Sequence, residues 1–183
     1  PEAARAMYGE AWSYNLIEQP DSMELVLQQM VKKYPKAESA ADAYFTIGDY
    51  HYNKKEYQEA CAAYAHIASD FPAYARFEEA KQLVHELEEI MAYLEYEKAI
   101  ALFDAKDYAG ALVELNRALG KYPGMDIELG CKANIASCYE QLGQLSKAKE
   151  MFQKIVDEYR DVAEAFDVTI FAQQHVRWIE SKL

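Results

Sequence analysis

The strongest constraint on the fold is a phrase that recurs at the end of four segments of the chain. The first three segments end in KKYP, SDFP and GKYP, at Pro35, Pro72 and Pro123. The fourth ends in DEYR at Arg160, which keeps the aromatic residue and loses the proline. Counting back 31 positions from each end gives four frames, which begin at residues 4, 41, 92 and 129. Self-similarity at such a period is typical of proteins built from stacked repeats.

The four frames agree column by column. Column eight holds a small residue in every frame: Ala11, Gly48, Ala99 and Ala136. Column twenty holds Met23, Ala60, Ala111 and Ala148, and column twenty-four holds Leu27, Tyr64, Leu115 and Phe152. Small residues at fixed columns predict places where two helices touch. Each unit has apolar residues at helical spacing on two short helices and cannot bury them alone, so the units must stack into a solenoid.

This pattern resembles the tetratricopeptide repeat, a helix-turn-helix unit with small residues at columns eight and twenty and proline at column thirty-two. The best copy is ADAYFTIGDYHYNKKEYQEACAAYAHIASDFP, residues 41–72. The resemblance implies an all-α fold, a right-handed superhelical solenoid of antiparallel helix pairs, and a non-enzymatic scaffold that binds other proteins. It also implies one domain, residues 1–183, with repeats at 4–37, 41–74, 75–125 and 129–160 and a capping helix at 162–182.

The spacing between the frames predicts one extended helix. Frames one and two, and frames three and four, begin 37 residues apart, whereas frames two and three begin 51 residues apart. The extra 14 residues are close to four helical turns, so a helix lengthened by this amount presents nearly the same faces. Residues 75–105 contain no glycine or proline. We predict one helix there, continuous at least over residues 76–103, with a break near Ala92 as the alternative.

The order of the segments indicates a more specific resemblance within the repeat family. A repeat ending in aromatic-proline, a long helix carrying AYLEYEKAIALFDAKDYAGAL, and a repeat ending in KYP are together similar to the BamD-type lipoproteins of bacterial outer-membrane assembly. The 37-residue spacing is similar to that of the periplasmic repeat proteins of the Tol-Pal system. This resemblance implies a periplasmic or outer-membrane-associated component of a cell envelope complex. The alternative is a cytoplasmic assembly factor or co-chaperone-like adaptor. We also expect the natural N-terminus to lie before Pro1, because a chain rarely starts there without processing.

One sub-class of the family is disfavoured. Members that clasp the C-terminal carboxylates of chaperones use lysine and asparagine at columns two, five, six and nine of successive first helices. Here these columns hold Asp42, Phe45, Thr46 and Asp49 in the second repeat, and Gly130, Ala133, Asn134 and Ser137 in the fourth. Only Asn134 matches the clamp, so capture of chaperone tails is not expected.

Composition and charge exclude several classes of function. The chain has 183 residues with 51% hydrophobic and 27% charged residues, as in a globular protein, and no apolar run approaches the roughly 20 residues of a membrane span. A formal charge of −12 repels nucleic acid and anionic lipid, which bind through lysine and arginine clusters. We therefore expect neither nucleic acid nor a membrane span.

No motif for catalysis or cofactor binding is found in the sequence. The four histidines are scattered over different repeats, and His85 in HELEE has no second histidine to complete a zinc site. The three cysteines have no metal-binding or disulfide spacing, and Cys131 and Cys138 would lie about 10 Å apart along one helix. We predict no enzyme activity, no cofactor and no metal.

The aromatic residues indicate where a partner would bind. Nine of the fifteen tyrosines occupy core columns, whereas a second group of aromatic residues falls in columns that line the groove of this family. The predicted groove consists of Tyr8, Trp12, Phe45, Tyr52, Tyr93, Tyr96 and Phe103, with Asp42 and Asp49 beside them. Exposed aromatic side chains are typical binding anchors. The alternative is that they pack against an adjacent helix.

The long helix is strongly acidic. Residues 78–97 hold seven acidic residues and one lysine, a net charge of −6. On one projected face the acidic patch Glu79, Glu86 and Glu89 precedes the aromatic residues of the same helix. A partner with a basic and apolar surface, either a protein or a peptide, would fit this face. A plain solvated face is the alternative.

The end of the chain carries an apolar stripe and apolar residues outside it. The stripe consists of Ala165, Val168, Ala172, Val176, Ile179 and Leu183, at the spacing of a capping helix. Phe166, Ile170, Phe171 and Trp178 lie off the stripe. Because large aromatic side chains are costly to leave in water, we expect them to be covered. Coverage within the chain is preferred over end-on self-association or partner docking through Phe171 and Trp178.

Overall fold

A computed structural model describes residues 2–183, and within that range the chain forms nine α-helices and one short 3₁₀ helix, with no β-strand. The prediction of an all-α fold is confirmed. The α-helices are α1 (Glu2–Leu16), α2 (Pro20–Lys33), α3 (Glu38–Asn53), α4 (Tyr57–Asp70), α5 (Phe77–Asp104), α6 (Tyr108–Lys121), α7 (Glu128–Gln141), α8 (Leu145–Tyr159) and α9 (Phe166–Glu180). The 3₁₀ helix, Ala163–Ala165, precedes α9. No helix in the described range is long and apolar enough to cross a membrane.

The recurring aromatic-proline pair lies at the C-terminal end of α2, α4 and α6. Tyr34, Phe71 and Tyr122 cap α2, α4 and α6, and each donates its backbone N–H to the carbonyl oxygen four residues earlier. The proline that follows has no N–H and cannot continue the helix. In the fourth copy Arg160 replaces the proline and keeps a helical backbone, with φ −51°.

The turns between the paired helices repeat one backbone conformation. Glu18, Lys55, Lys106 and Gly143 all have left-handed φ values, 57°, 60°, 64° and 71°. Each donates its N–H to the carbonyl oxygen three residues earlier, over 2.9 to 3.1 Å. All four occupy column fifteen of their frames. The backbone conformation of the turn is therefore repeated, even where the residue is not the glycine that this conformation favours.

The chain forms two compact units, one ending at Ile90 and the other spanning residues 91–183. In the first unit, α1 pairs with α2 and α3 pairs with α4. The N-terminal part of α5 completes this unit, because Ala80 and Leu87 are fully buried with Tyr64 and Ile67 of α4. The small residues at column eight, Ala11 and Gly48, are both buried, as the repeat pattern predicts.

The second unit begins with the C-terminal part of α5. Ala92 and Ala99 are fully buried in one core cluster with Leu115 of α6 and Ile135 of α7. A second cluster joins α8 to α9, with Phe152 at 0% exposure. The long helix is thus continuous over 28 residues, Phe77–Asp104, and the alternative, a break near Ala92, does not occur. Each half of this helix supplies core residues to its own unit.

The prediction that the C-terminal aromatic residues are covered within the chain is wrong. Helix α9 buries Ala172, Val176 and Ile179 of the predicted stripe. Phe171 and Trp178 remain 39% and 48% exposed, because no helix of the described chain follows α9. Phe171 is partly packed, with its ring centroid 5.8 Å from that of Phe152 in α8. The other large apolar residues left exposed on α9 are Phe166 and Ile170.

The three cysteines are free thiols, and their burial predicts how fast they react. Burial raises the pKa of Cys131 and of Cys138 to about 11, so about 0.1% of each thiol is thiolate at pH 8. Cys61 is only partly buried. With a thiol-specific disulfide reagent at pH 8, we expect Cys61 to react first and the other two only after unfolding in urea. Rapid modification of all three cysteines in the folded protein would contradict this burial.

Candidate protein-binding face

Helices α1 and α3 lie side by side in the first unit and share one accessible face. We call it the α1/α3 face and define it by Tyr8, Trp12, Asp42, Thr46, Asp49 and Tyr52. The hydroxyl groups of Tyr8 and Thr46 are 3.5 Å apart and join the two helices. Trp12 is 50% exposed and Tyr52 43% exposed, while Tyr8 and Asp42 are half-buried and Asp49 is exposed. The spacing of these residues places them on one side of their helices.

Two tyrosine hydroxyls donate hydrogen bonds to the two carboxylates of this face, those of Asp42 and Asp49. Tyr74 Oη donates to Asp42 Oδ1 over 2.7 Å, and Tyr64 Oη donates to Asp49 Oδ1 over 2.6 Å. The pKa of each tyrosine is raised, first by burial and second by the hydrogen bond to the carboxylate. Each hydrogen bond occupies one acceptor site of a carboxylate that has about four. Both aspartates are therefore oriented and keep capacity to accept further hydrogen bonds.

Phe45 was predicted to be a groove residue, and this prediction is wrong. Its side chain is 2% exposed and packs edge-on against Tyr64, with ring centroids 5.1 Å apart. The guanidinium carbon of Arg76 lies 3.4 Å from the centre of the same ring. Phe45 is thus covered by a cation and contributes to the core of the first unit, where it cannot contact a partner.

The predicted acidic patch is partly neutralised within the first unit. Arg76 donates two hydrogen bonds of 2.7 Å, from Nε and Nη2, to the carboxylate of Glu79, which lowers the pKa of that carboxyl. Glu86 accepts a hydrogen bond of 2.8 Å from Gln82. Glu89 is half-buried and also has an interaction partner. The acidic patch is therefore less negative than the net charge of residues 78–97 indicates, because Arg76 lies outside that range.

A cavity of about 340 Å³ opens on the α1/α3 face beside Trp12. Its polar wall includes Asp49 and Asn53 of α3 and Asp21 at the start of α2. Tyr50 donates to Asp21 over 2.5 Å and accepts a hydrogen bond from Lys54 over 3.0 Å. The repeat columns did not indicate Asp21, Asn53 or Lys54, although Asn53 follows Asp49 by four residues and so shares its side of α3.

The remaining predicted groove residues belong to the second unit. Tyr93 is 56% exposed and hydrogen-bonds to Glu97, which raises the pKa of the phenol. Tyr96 is half-buried, and its hydroxyl accepts a hydrogen bond of 2.9 Å from Asn134. Phe103 is half-buried, with its ring 5.2 Å from that of Tyr108. Tyr96 and Phe103 therefore serve mainly in packing, whereas Tyr93 is accessible. No group of three or more metal-ligating side chains is close enough to hold a metal ion anywhere in residues 2–183.

Comparison with known sequence families identifies the repeat. One sequence model of the tetratricopeptide repeat matches residues 5–37 and 42–74. A second model of the same repeat matches residues 102–168. Together these matches cover more than half of the chain, so the protein belongs to the tetratricopeptide repeat family. No curated protein matches the chain by sequence at a significant level.

Solved structures of similar repeat proteins are distant. One is the crystal structure of a single-residue variant of a Podosopora anserina protein described as a kinesin light chain with nearly identical TPR-like repeats. It has 14% sequence identity and a TM-score of 0.39, and the alignment covers 97% of this chain and 84% of that chain. A second structure of that Podosopora anserina protein has 16% identity and a TM-score of 0.35, covering 97% of this chain and 95% of that chain.

Proposed function

We propose that this protein is a non-enzymatic scaffold that binds another protein through the α1/α3 face. The observation that supports this proposal most directly is the exposed indole of Trp12 at the mouth of a cavity walled by Asp49. An exposed aromatic side chain offers a large contact area at low entropic cost, and it lies here beside fixed negative charge.

The chemistry of this face defines the partner. A lysine or arginine side chain of a bound segment would reach Asp49 and Asp42, and its cationic head would also be attracted by the face of the Trp12 ring. Apolar residues on the same segment would cover Tyr8 and Tyr52. The partner is therefore a peptide or helix with both basic and apolar residues.

Selection from a random peptide library displayed on phage tests this proposal. We expect the immobilised protein to enrich peptides that combine lysine or arginine with apolar residues, and their affinity to fall as salt is added. Trp12→Ala should weaken a selected peptide about 30-fold, the size typical of an interface anchor. Asp49→Asn should weaken it less, and it preserves an acceptor for Tyr64. Titrations followed by calorimetry give the affinities.

Trp178→Ala is the matched control for this experiment. Trp178 is exposed to nearly the same extent as Trp12 but belongs to the second unit. Its replacement should leave peptide affinity unchanged. Enrichment of acidic peptides, or equal loss of binding in the Trp12→Ala and Trp178→Ala proteins, would refute the proposed face.

A role as an assembly or adaptor component of a bacterial cell envelope complex is the more specific form of this proposal. The support is the order of segments around α5, which is similar to that of BamD-type lipoproteins. The alternative is a cytoplasmic assembly factor or co-chaperone-like adaptor. Fractionation of cells that express the intact natural gene would distinguish the two, since recovery with the periplasm or outer membrane favours the envelope role and recovery with the cytoplasm refutes it.

A further inference from the structure

The cavity beside Trp12 is lined by hydrogen-bond acceptors that no group of the described chain occupies. Its wall includes Asn15 in the last turn of α1, and Asp49 and Asn53 of α3. The amide side chains of Asn15 and Asn53 have no hydrogen-bond partner within residues 2–183. Asp49 accepts from Tyr64 at Oδ1 and keeps Oδ2 for a further donor. The cavity therefore offers acceptor oxygens from three side chains on two helices.

The charge of the cavity wall suits one monovalent cation. The charged residues of the wall are Asp21, Asp49 and Lys54, two carboxylates and one ammonium group, which give a net charge of −1. Arg76 is attracted to Asp49 through space, but its guanidinium donates its hydrogen bonds to Glu79. One bound cation would therefore neutralise the wall, and opposite charge across a contact favours the matching partner.

We propose that this cavity binds an arginine side chain of the partner in preference to lysine, which rests on the function proposed above and specifies the basic residue that the partner inserts. A guanidinium group is planar and has five N–H donors on three nitrogen atoms. These donors match acceptors that are distributed over Asp49, Asn15 and Asn53. The three donors of an ammonium group come from a single atom, so lysine satisfies fewer of these acceptors.

Trp12 favours arginine for a second reason. A guanidinium group stacks on an aromatic ring and is more weakly hydrated than an ammonium group, so it is transferred from water at lower cost. The same kind of contact occurs in this unit, where the guanidinium carbon of Arg76 lies 3.4 Å from the centre of the Phe45 ring. The volume of about 340 Å³ is near the lower end of the range of ligand pockets, roughly 300–1,000 Å³, and leaves room for one long side chain.

Titration of the isotope-labelled protein with two small probes, followed by NMR, tests this site. The probes are Nα-acetyl-arginine amide and Nα-acetyl-lysine amide. The chain has two tryptophans, Trp12 and Trp178, so the indole N–H signal of each reports on its own surroundings. We expect the arginine probe to shift the Trp12 signal with a dissociation constant in the millimolar range, and to leave the Trp178 signal in place. The lysine probe should bind about fivefold more weakly or less tightly still.

Variants of the cavity wall make the test specific. Asp49→Asn should weaken the arginine probe about tenfold, because it removes the charge from a hydrogen bond while it preserves an acceptor for Tyr64. Asn53→Ala should weaken the arginine probe about fivefold, since it removes one neutral acceptor, and it should affect the lysine probe less. Asp42→Asn is the matched control, because it makes the same change in charge on the α1/α3 face outside the cavity wall. It should change the affinity by less than about twofold.

The possible failures are distinguishable. Equal affinities of the two probes would overturn the preference for arginine. A Trp12 signal that does not move, or that moves no more than the Trp178 signal, would overturn the site itself. Neither result refutes the proposed function if the peptide library still enriches basic peptides whose binding depends on Trp12. A library that enriches no basic peptide refutes the proposed function.

Discussion

Replacing Gly48 with valine is expected to lower the free energy of unfolding by about 3 kcal/mol. Gly48 lies in α3 directly against the ring of Tyr64 in α4. A Cβ atom at this position would lie 2.4 Å from Cε1 and 2.6 Å from Cζ of that ring. Tyr64 cannot move aside, because it is 1% exposed and its hydroxyl is hydrogen-bonded to Asp49. The clash therefore separates α3 from α4 and also breaks the hydrogen bond that orients Asp49.

Urea denaturation followed by circular dichroism measures this effect, and a second glycine provides the control. Gly120 lies in α6, and a Cβ atom there would meet nothing within 4 Å. Gly120→Ala should raise stability by about 0.5–1 kcal/mol, since alanine favours the helix over glycine. Gly48→Ala should lose stability despite the same gain in helix propensity. Equal effects at the two positions would show that Gly48 is not a contact point between helices.

The repeat columns predicted this contact because packing between neighbouring helices depends on few residues. Column eight is small in all four frames, and its members Ala11, Gly48, Ala99 and Ala136 are all buried. The length of α5 followed from a count of residues, because 14 residues restore the direction of a helical face. Local periodicity and spacing therefore determine the helices and their pairing in this fold.

The accessible face was predicted less well, because exposure depends on residues outside the repeat frame. Phe45 and Tyr52 both occupy groove columns, yet Phe45 is buried and Tyr52 is exposed. Phe45 packs against Tyr64, and Arg76, which directly precedes the long helix, lies over the same ring. Arg76 lies outside the second repeat, so the columns of that repeat do not show that it covers Phe45.

The charge of the long helix α5 also cannot be judged from its own residues alone. Within the second unit Glu95 of α5 accepts a hydrogen bond of 2.6 Å from Arg117 of α6, and Lys121 lies 3.8 Å from the same carboxylate. These cations come from another helix and are distant in sequence. The long helix therefore presents less negative charge than its own residues indicate. The excess of acidic residues in the whole chain is unaffected.

Replacing Tyr93 with proline is expected to lower the free energy of unfolding by about 3 kcal/mol or more. Position 93 lies well inside α5, 16 residues after its first residue, Phe77. Proline there would remove the backbone N–H that bonds to the carbonyl of residue 89, and its ring would clash with that carbonyl. The kink would also displace Ala92, which is fully buried in the core of the second unit, and Tyr96, which is hydrogen-bonded to Asn134.

Tyr93→Ala separates the effect on the backbone from the loss of the side chain. The Tyr93 ring is 56% exposed, so its removal should cost no more than about 0.5 kcal/mol. Helical ellipticity at 222 nm and the midpoint of urea denaturation should both fall in the proline variant and remain nearly unchanged in the alanine variant. If the two variants were equally stable, α5 could not be a single uninterrupted helix at this position, since only a break in the hydrogen-bond ladder accommodates proline without this loss.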